Sequence, residues 1–395
     1  MIKHIFLMIW NQKGRNIGLL LEIFFSFIVL FAVSTYIIYQ YNIYHQNLGF
    51  NYENIWMLQM DARESNAKEI AQTKDQIARY LKQQTEIQSF SYSSNNMPYG
   101  ISSSMTVLNH NGKETYPDYF QAEPSFLETF QLELMEGRWL KEDDKAANAI
   151  PIVINSELKK ELFEDEDVIN LELLDDEGNT EFKIVGILDQ FKFQGEFSPA
   201  RAGFFRLMPD SLNYPGSMML KIQPNAGAAF EAKMMKQLNK MAGNWSFNIS
   251  YMEESRKSRL RETQVPIIVL MTICGFLLFN VALGLFGILW SNINKRKAEI
   301  GIRRAMGATK NGLNWQFIGE MMMICTFSLV LSTFFAIQLP LLKVFSGPPF
   351  FISVWIYFLA IFVSILIIYG IVLICSYFPS RQAAQLHPAV ALHEE

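Results

Sequence analysis

The sequence predicts an integral membrane α-helical protein of four transmembrane helices, with a large extracytoplasmic α+β domain inserted between helices 1 and 2. Three observations carry that reading. Of 395 residues, 50% are hydrophobic and only 18% charged, which is too apolar for an ordinary soluble chain and too charged to lie wholly in lipid. Four stretches, 17–38, 265–290, 321–342 and 350–378, reach the ~20 apolar residues that a hydrocarbon core requires. Only the first of them contains a charge, Glu22. The long segment 41–262 between the first and second is polar, with alternating strand-like and helix-like runs.

The first stretch reads as an uncleaved anchor rather than a signal peptide. Its apolar run is too long, and no small-x-small site follows in Gln40-Tyr41-Asn42-Ile43-Tyr44. Orientation follows from basic residues near the membrane. Lys3, Lys13 and Arg15 precede the first span, and Lys295, Arg296, Lys297, Arg303, Arg304 and Lys310 lie between the second and third. The loop after the third span has Lys343 alone. The expected layout is a cytoplasmic N-terminus (1–16), spans at 17–40, 263–290, 315–342 and 350–378, and an external domain at 41–262. A cytoplasmic segment (291–314), a short external loop (343–349) and a cytoplasmic C-terminus (379–395) complete it.

The external segment carries 33 acidic and 23 basic residues, whereas the rest of the chain is net basic. An acidic face disfavours nucleic acid as a partner. Cys274, Cys325 and Cys375 all fall in the spans, so the external domain is expected to fold without disulfides. It is long enough to bury an adequate core, and division into two lobes is expected.

Within that domain, 65–84 reads as a helix, with Ile70, Ile77 and Leu81 on one side and Ser65 or Asn66 as N-cap. Asn111-Gly112 marks a hairpin over 105–116, because the pair accepts the positive φ angles of a tight turn. A second hairpin is expected over 171–188, turning at Asp175-Asp176-Glu177-Gly178-Asn179. Pro124 opens a short helix at 125–130, and Asn155 caps another over 156–163. Strands are expected at 150–154, 218–222 and 245–251. Pro224-Asn225 is read as opening a helix to about residue 241, and the polar run 253–264 as a helical stalk into the second span.

The most informative cytoplasmic run is Lys295-Arg296-Lys297-Ala298-Glu299-Ile300-Gly301-Ile302-Arg303-Arg304-Ala305-Met306-Gly307-Ala308-Thr309. On a helix, Glu299 and Arg303 are four apart in the favourable order. Ile300, Ile302, Ala305 and Met306 supply an apolar face for a partner or the membrane. By composition alone, this is a basic loop against anionic headgroups. Its order, however, resembles the loop between the second and third spans of MacB/FtsX-type ABC transporter permeases.

The resemblance extends over nearly the whole chain. Ala122-Glu123-Pro124-Ser125-Phe126-Leu127-Glu128-Thr129-Phe130, then Glu136-Gly137-Arg138-Trp139 and Asp143-Asp144, are similar to that family's external core domain. Ile152-Val153-Ile154-Asn155 with Leu162-Phe163, and the run from Ile184 to Phe191, continue it. Pro388-Ala389-Val390-Ala391-Leu392 resembles its closing segment. The resemblance implies that Glu299, Ile300, Gly301, Ile302, Arg303, Arg304 and Gly307 belong to a coupling helix that docks on an ATPase subunit.

The family prototype carries a fused ATPase. No Gly-x-x-x-x-Gly-Lys-[Ser/Thr] run occurs in this sequence, so ATP is expected to be bound and hydrolysed by a separate chain. No cofactor, metal or catalytic residue is expected here. His4, His45, His110, His387 and His393 show no metal-ligand spacing. The acidic run Glu164-Asp165-Glu166-Asp167 reads as a solvated loop. Glu22 and Glu320 lie about one turn inside their spans and read first as structural ion pairs. The implied partners are the ATPase, a second permease chain, the lipid bilayer, and a periplasmic adaptor with an outer-membrane duct. An FtsX-like regulator of a cell-wall hydrolase is the alternative function.

Overall fold

The computed structural model describes residues 13–62, 66–94, 96–100, 103–163, 166–175, 181–209, 216–342 and 352–384. They divide into two compact units. One combines the chain up to Asn42 with that from Gln264 onward, and the other is Ile43–Thr263. Helix α1 (Lys13–Tyr44) opens the described chain.

In the external unit, β1 (Ile55–Ala62), α2 (Ala67–Lys82) and β2 (Ile87–Ser94) form a first βαβ unit. Asn66 caps α2 by accepting from the Glu69 amide at 3.0 Å while the Glu69 carboxylate reaches back to the Asn66 amide, a reciprocal pair that satisfies two orphan donors. Ile70, Ile77 and Leu81 are its buried residues, as expected. Ser65 lies outside the described residues. The chain continues through β3 (Leu108–His110), β4 (Lys113–Thr115), β5 (Asp118–Ala122), α3 (Phe126–Phe130), β6 (Leu134–Gly137) and β7 (Ile150–Asn155). It then forms α4 (Ser156–Leu158), β8 (Glu172–Asp175), β9 (Glu181–Leu188) and β10 (Gly203–Leu207). A second βαβ unit follows, made of β11 (Ser217–Ile222), α5 (Ala228–Met241) and β12 (Trp245–Tyr251).

Among the described residues, one mixed sheet runs β12-β1-β11-β2-β5-β10-β7-β9-β8-β3-β4, with β6 added on β9. The first four strands interleave the two βαβ units as a split βαβ lobe. Trp56, Leu58 and Leu220 of its strands pack with Ile77 and Leu81 of α2 and Met234 and Leu238 of α5. The residues between β2 and β11 build a second lobe around a phenylalanine cluster, Phe120, Phe126, Phe130, Phe191, Phe193 and Phe205. Its two parallel pairs are β5 with β10 and β7 with β9.

The first hairpin forms where expected, with Asn111 at φ 51° and Gly112 at φ 81° and Leu108 paired with Thr115. The second pairs Leu174 with Glu181, and its turn lies outside the described residues. One boundary differs from expectation. Helix α5 begins at Ala228 with Gly227 as its N-cap, not at Pro224-Asn225, because residues 223–226 close a turn (Ala226 N to Gln223 O, 3.0 Å). The fixed φ of Pro224 serves that turn instead of a helix.

The chain continues with α6 (Met252–Lys295), whose first turns up to Thr263 still belong to the external unit, and the other unit is completed by α7 (Lys297–Ala305), α8 (Lys310–Leu341) and α9 (Val354–Ala384). Among the described residues, four helices are long and apolar enough to cross a membrane, and the α+β domain lies in sequence between the first and second. Phe27, Phe31, Leu285, Phe317, Met321 and Tyr357 belong to the bundle core. Two of its buried serines bond to nearby carbonyls, Ser332 to Ser328 O and Ser364 to Ala360 O, whereas the Ser376 hydroxyl is buried with no hydrogen-bond partner among the described residues. Ser328 instead crosses to Leu20 O of α1 at 2.7 Å.

Candidate functional site

The basic run folds as a short helix set between two long ones. Helix α7 carries Glu299 in its first turn and Arg303 and Arg304 in its last, the placement that its dipole favours. Arg303 Nη2 lies 2.5 Å from Glu299 Oε1, the expected pair four residues apart. The helix ends in a Schellman turn: the Gly307 amide donates to Arg304 O at 3.1 Å and that of Ala308 to Arg303 O at 3.0 Å. Gly307 sits at φ 98° with nothing in the space a Cβ would occupy. Its glycine identity is therefore explained by backbone conformation. Thr309 then caps α8 by accepting from the Gly312 amide.

The seven residues singled out from sequence separate onto two faces. Ile300 is 2% exposed and packs in the bundle core, and Gly301 is buried beside it. Glu299 and Gly307 are exposed, as is Ile302 at 49%. Met306 is 76% exposed. The apolar face read from sequence is thus divided, with Ile300 turned inward and Ile302 and Met306 outward.

Both arginines are half-buried. Arg303 Nη1 donates to Gln316 Oε1 of α8 at 3.1 Å, and Arg304 Nη1 donates to Ala308 O at 3.2 Å. Arg303, Met306, Thr309, Gly312, Leu313 and Gln316 line an open hollow of about 410 Å³. Gln316 went unnoticed in the sequence, because it meets Arg303 only through the reversal at Gly307. Arg296 Nη1 lies 3.0 Å from Glu320 Oε2, so Glu320 is a structural ion-pair member. Glu22 has a different setting. Its carboxylate oxygens come within 2.6 and 3.0 Å of where a Cβ on Gly284 would stand, so the carboxylate lies close against the bare backbone of α6.

The external motifs build architecture. Gly137 has φ 72°, and a Cβ there would meet Val185 O at 2.4 Å; one on Gly186 would meet Arg138 O at 2.2 Å. The two glycines let β6 and β9 approach at a bulge. Arg138 binds both oxygens of Asp144, and Trp139 Nε1 donates to Pro124 O at 3.0 Å. Asn155 accepts from the Leu158 and Gly203 amides and donates to Arg201 O, which ties β7, α4 and β10 together. The closing Pro388 to Leu392 segment lies outside the described residues.

Helices of this length and apolarity, with a short basic helix between the second and third of them, define a multi-pass membrane protein. Residues 24–236 match the family model described as MacB-like periplasmic core domain, and residues 271–388 that described as FtsX-like permease C-terminal. The chain belongs to the MacB/FtsX-type ABC transporter permeases. It is 20% identical over 312 residues to the uncharacterized ABC transporter permease YvrN of Bacillus subtilis, covering 75% of each chain. It is 25% identical over 275 residues to the macrolide export ATP-binding/permease protein MacB of Escherichia coli, covering 67% of this chain and 41% of that one. The chain thus spans well under half the length of that relative. The solved periplasmic region of MacB from Actinobacillus actinomycetemcomitans aligns at TM-score 0.39 and 17% identity, over 54% of this chain and 96% of that one.

Proposed function

We propose that this permease converts ATP hydrolysis by a separate ATPase subunit into motion of its external domain, and that α7 is the coupling helix. The observation that carries this reading is the two-faced character of α7. Ile300 and Gly301 anchor it in the bundle, while Ile302, Met306 and the hollow beside Arg303 stay open. An apolar contact rimmed by guanidinium groups suits a protein surface that presents acidic residues. The chain works beside a second permease chain in the cytoplasmic membrane, with both termini and α7 on the cytoplasmic side.

The cargo of this reading is a lipoprotein, peptide or amphipathic drug, taken from the external side and handed to an adaptor and an outer-membrane duct. Two features support external capture over passage through this chain. The described bundle core is built largely of apolar side chains, and Ser328, Ser332 and Ser364 within it are bonded to helix carbonyls. Names of relatives that refer to macrolide export agree with an amphipathic cargo.

The test is co-purification of the ATPase with an Arg303→Glu, Arg304→Glu double variant in detergent. Reversing both charges at a docked interface costs on the order of several kcal/mol, so association and ATPase stimulation should be lost. Arginines that only touch headgroups would lose ~1 kcal/mol each and leave the ATPase bound. Undiminished association refutes the assignment of α7.

A further inference from the structure

The loop between β9 and β10 contains a lysine that the functional motifs do not use. Lys192 is 1% exposed, and its Nζ donates to Ile43 O and to Glu196 O, each at 2.7 Å. Helix α1 has no basic residue in its last turn, where the helix dipole favours a cation; Ile43 O, which also accepts from the Gln46 amide at 3.1 Å, has a second lone pair for it. Lys192, distant in sequence, supplies that cation from inside the external domain. The same contact is reinforced nearby. The Lys192 amide donates to Leu48 O at 3.0 Å, and the Tyr44 and Phe197 rings lie 5.0 Å apart. Gly49, at φ 83°, passes so close that a Cβ would meet Gln190 O at 1.7 Å.

The first turns of α6 are bound to the same loop. Arg256 Nε pairs with Glu196 Oε1, and the Arg256 guanidinium lies over the Tyr52 ring, 4.5 Å from its centroid. Tyr99 Oη lies 3.5 Å from that carboxylate, and Arg259 Nη2 donates to Gly100 O. Tyr99 in turn donates its amide to Phe193 O at 2.6 Å. Between these two attachments, Phe191 and Phe193 enter the phenylalanine cluster, stacking edge-on against Phe120. The ends of α1 and α6 that belong to the external unit are therefore both held by residues 190–198, and that segment is embedded in the core.

Burying an ammonium and a carboxylate is an expensive way to fasten a loop, because apolar residues of similar volume are often more stabilising. The expense is increased by Glu196 Oε2, which is buried with no hydrogen-bond partner among the described residues. Directional bonds hold a helix end to a fixed position in a way that apolar contact does not.

From this geometry we infer that Lys192 and Glu196 are positioning residues for transmission: segment 190–198 is the joint through which movement of α1 and α6 reaches the core of the external domain. The inference rests on the transmission reading proposed above. It is tested by amide hydrogen exchange on the full chain bound to its ATPase, with and without a non-hydrolysable ATP analogue, for the native sequence, Lys192→Met and Glu196→Gln. In the native protein, nucleotide should change exchange both in α7 and in strands β5 and β10. In the variants, the change in α7 should persist while that in β5 and β10 disappears.

A native protein with no nucleotide-dependent change at either place overturns the transmission reading itself. Variants that keep both changes overturn the joint alone. Should Lys192→Met lose its cooperative melt, Glu196→Gln decides the matter. It keeps side-chain volume and the backbone carbonyl that Lys192 binds, so retention of the β5 and β10 change in that variant also overturns the joint.

Discussion

Arg138 holds Asp144 through two parallel bonds, Nη1 to Oδ2 at 2.8 Å and Nη2 to Oδ1 at 2.7 Å, with the Lys141 amide adding a third to Oδ2. The Arg138 bond is the main reason that the Asp144 carboxyl sits below its ordinary value, and partial burial opposes it. A carboxyl lowered in the folded state binds fewer protons than the same group unfolded, so its stabilisation is present above the ordinary value and lost as pH falls through the lowered one. Asp144→Asn should cost on the order of 1 kcal/mol at neutral pH, since Arg138 is partly exposed and the pair is screened. Denaturant unfolding followed by tryptophan fluorescence should show this gap closing below about pH 4, near the ordinary Asp range. A gap that is constant with pH would contradict the assignment.

Gly186→Ala tests the approach of β6 to β9. The added methyl would meet Arg138 O at 2.2 Å, and backbone is the least able neighbour to yield. A loss of ~3 kcal/mol or more is expected, read as a lower midpoint of the external domain's melt. Gly227→Ala, where a Cβ meets nothing within 4 Å, should cost far less.

The external unit should fold alone and in reducing conditions, since its core owes nothing to cysteine. Residues 43–263 should outlast residues 45–258. The shorter piece lacks the Ile43 carbonyl that Lys192 binds and ends before Arg259, which binds Gly100. Leaving a buried ammonium short of an acceptor costs ~1–3 kcal/mol, visible as a lower melting temperature. Equal stability would show that neither bond matters.

Most of this architecture was legible in the sequence where the signal was local. The Asn111-Gly112 turn, the Asn155 cap and the strand 245–251 need only their own residues. Strand β2 escaped reading because one of its faces buries Ser91 and Ser93, which leaves Phe90 and Tyr92 as the main apolar signal. Strand β6 is mostly exposed and gives no such pattern either. In α7, Glu299 and Arg303 could be paired from spacing. The inward turn of Ile300 and the meeting of Arg303 with Gln316 depend on how α7 packs on the bundle, where it touches α9, which spacing does not encode.

Lys192 gives a second pH signature, of opposite origin. Burial pushes its ammonium down to about 8 from an ordinary 10.5, with the neighbouring Glu196 opposing. Between those values, the unfolded chain binds more protons than the folded one, so stability rises with pH across that window. Relative to Lys192→Met, the native domain should gain at most ~3 kcal/mol from pH 8 to pH 10.5. Tyr99, Glu196 and Arg256 face the same loop. Burial raises Tyr99 well above its ordinary range, so its phenol stays neutral through the window. A difference that is flat with pH would mean that Lys192 is solvated like a surface lysine.

The two isoleucines of α7 separate anchoring from docking. Ile300, 2% exposed in the bundle core, is expected to lose ~2–4 kcal/mol of packing on replacement by alanine. The readout is a lower melting temperature of the purified permease in detergent, with the ATPase affinity falling only as far as unfolding removes competent protein. Ile302 is 49% exposed and, among the described residues, stands outside the bundle core, so Ile302→Ala should leave the melt within ~0.5 kcal/mol of native. If the ATPase covers Ile302 and Met306, however, Ile302→Ala with Met306→Ala should weaken its binding by at least ~1 kcal/mol, since truncated apolar anchors at the centre of an interface commonly cost that much. The same double variant would keep full affinity if only the arginines met the ATPase. It would also keep full affinity if the exposed face of α7 rested on lipid, and charge reversal at Arg303 and Arg304 then tells those two cases apart.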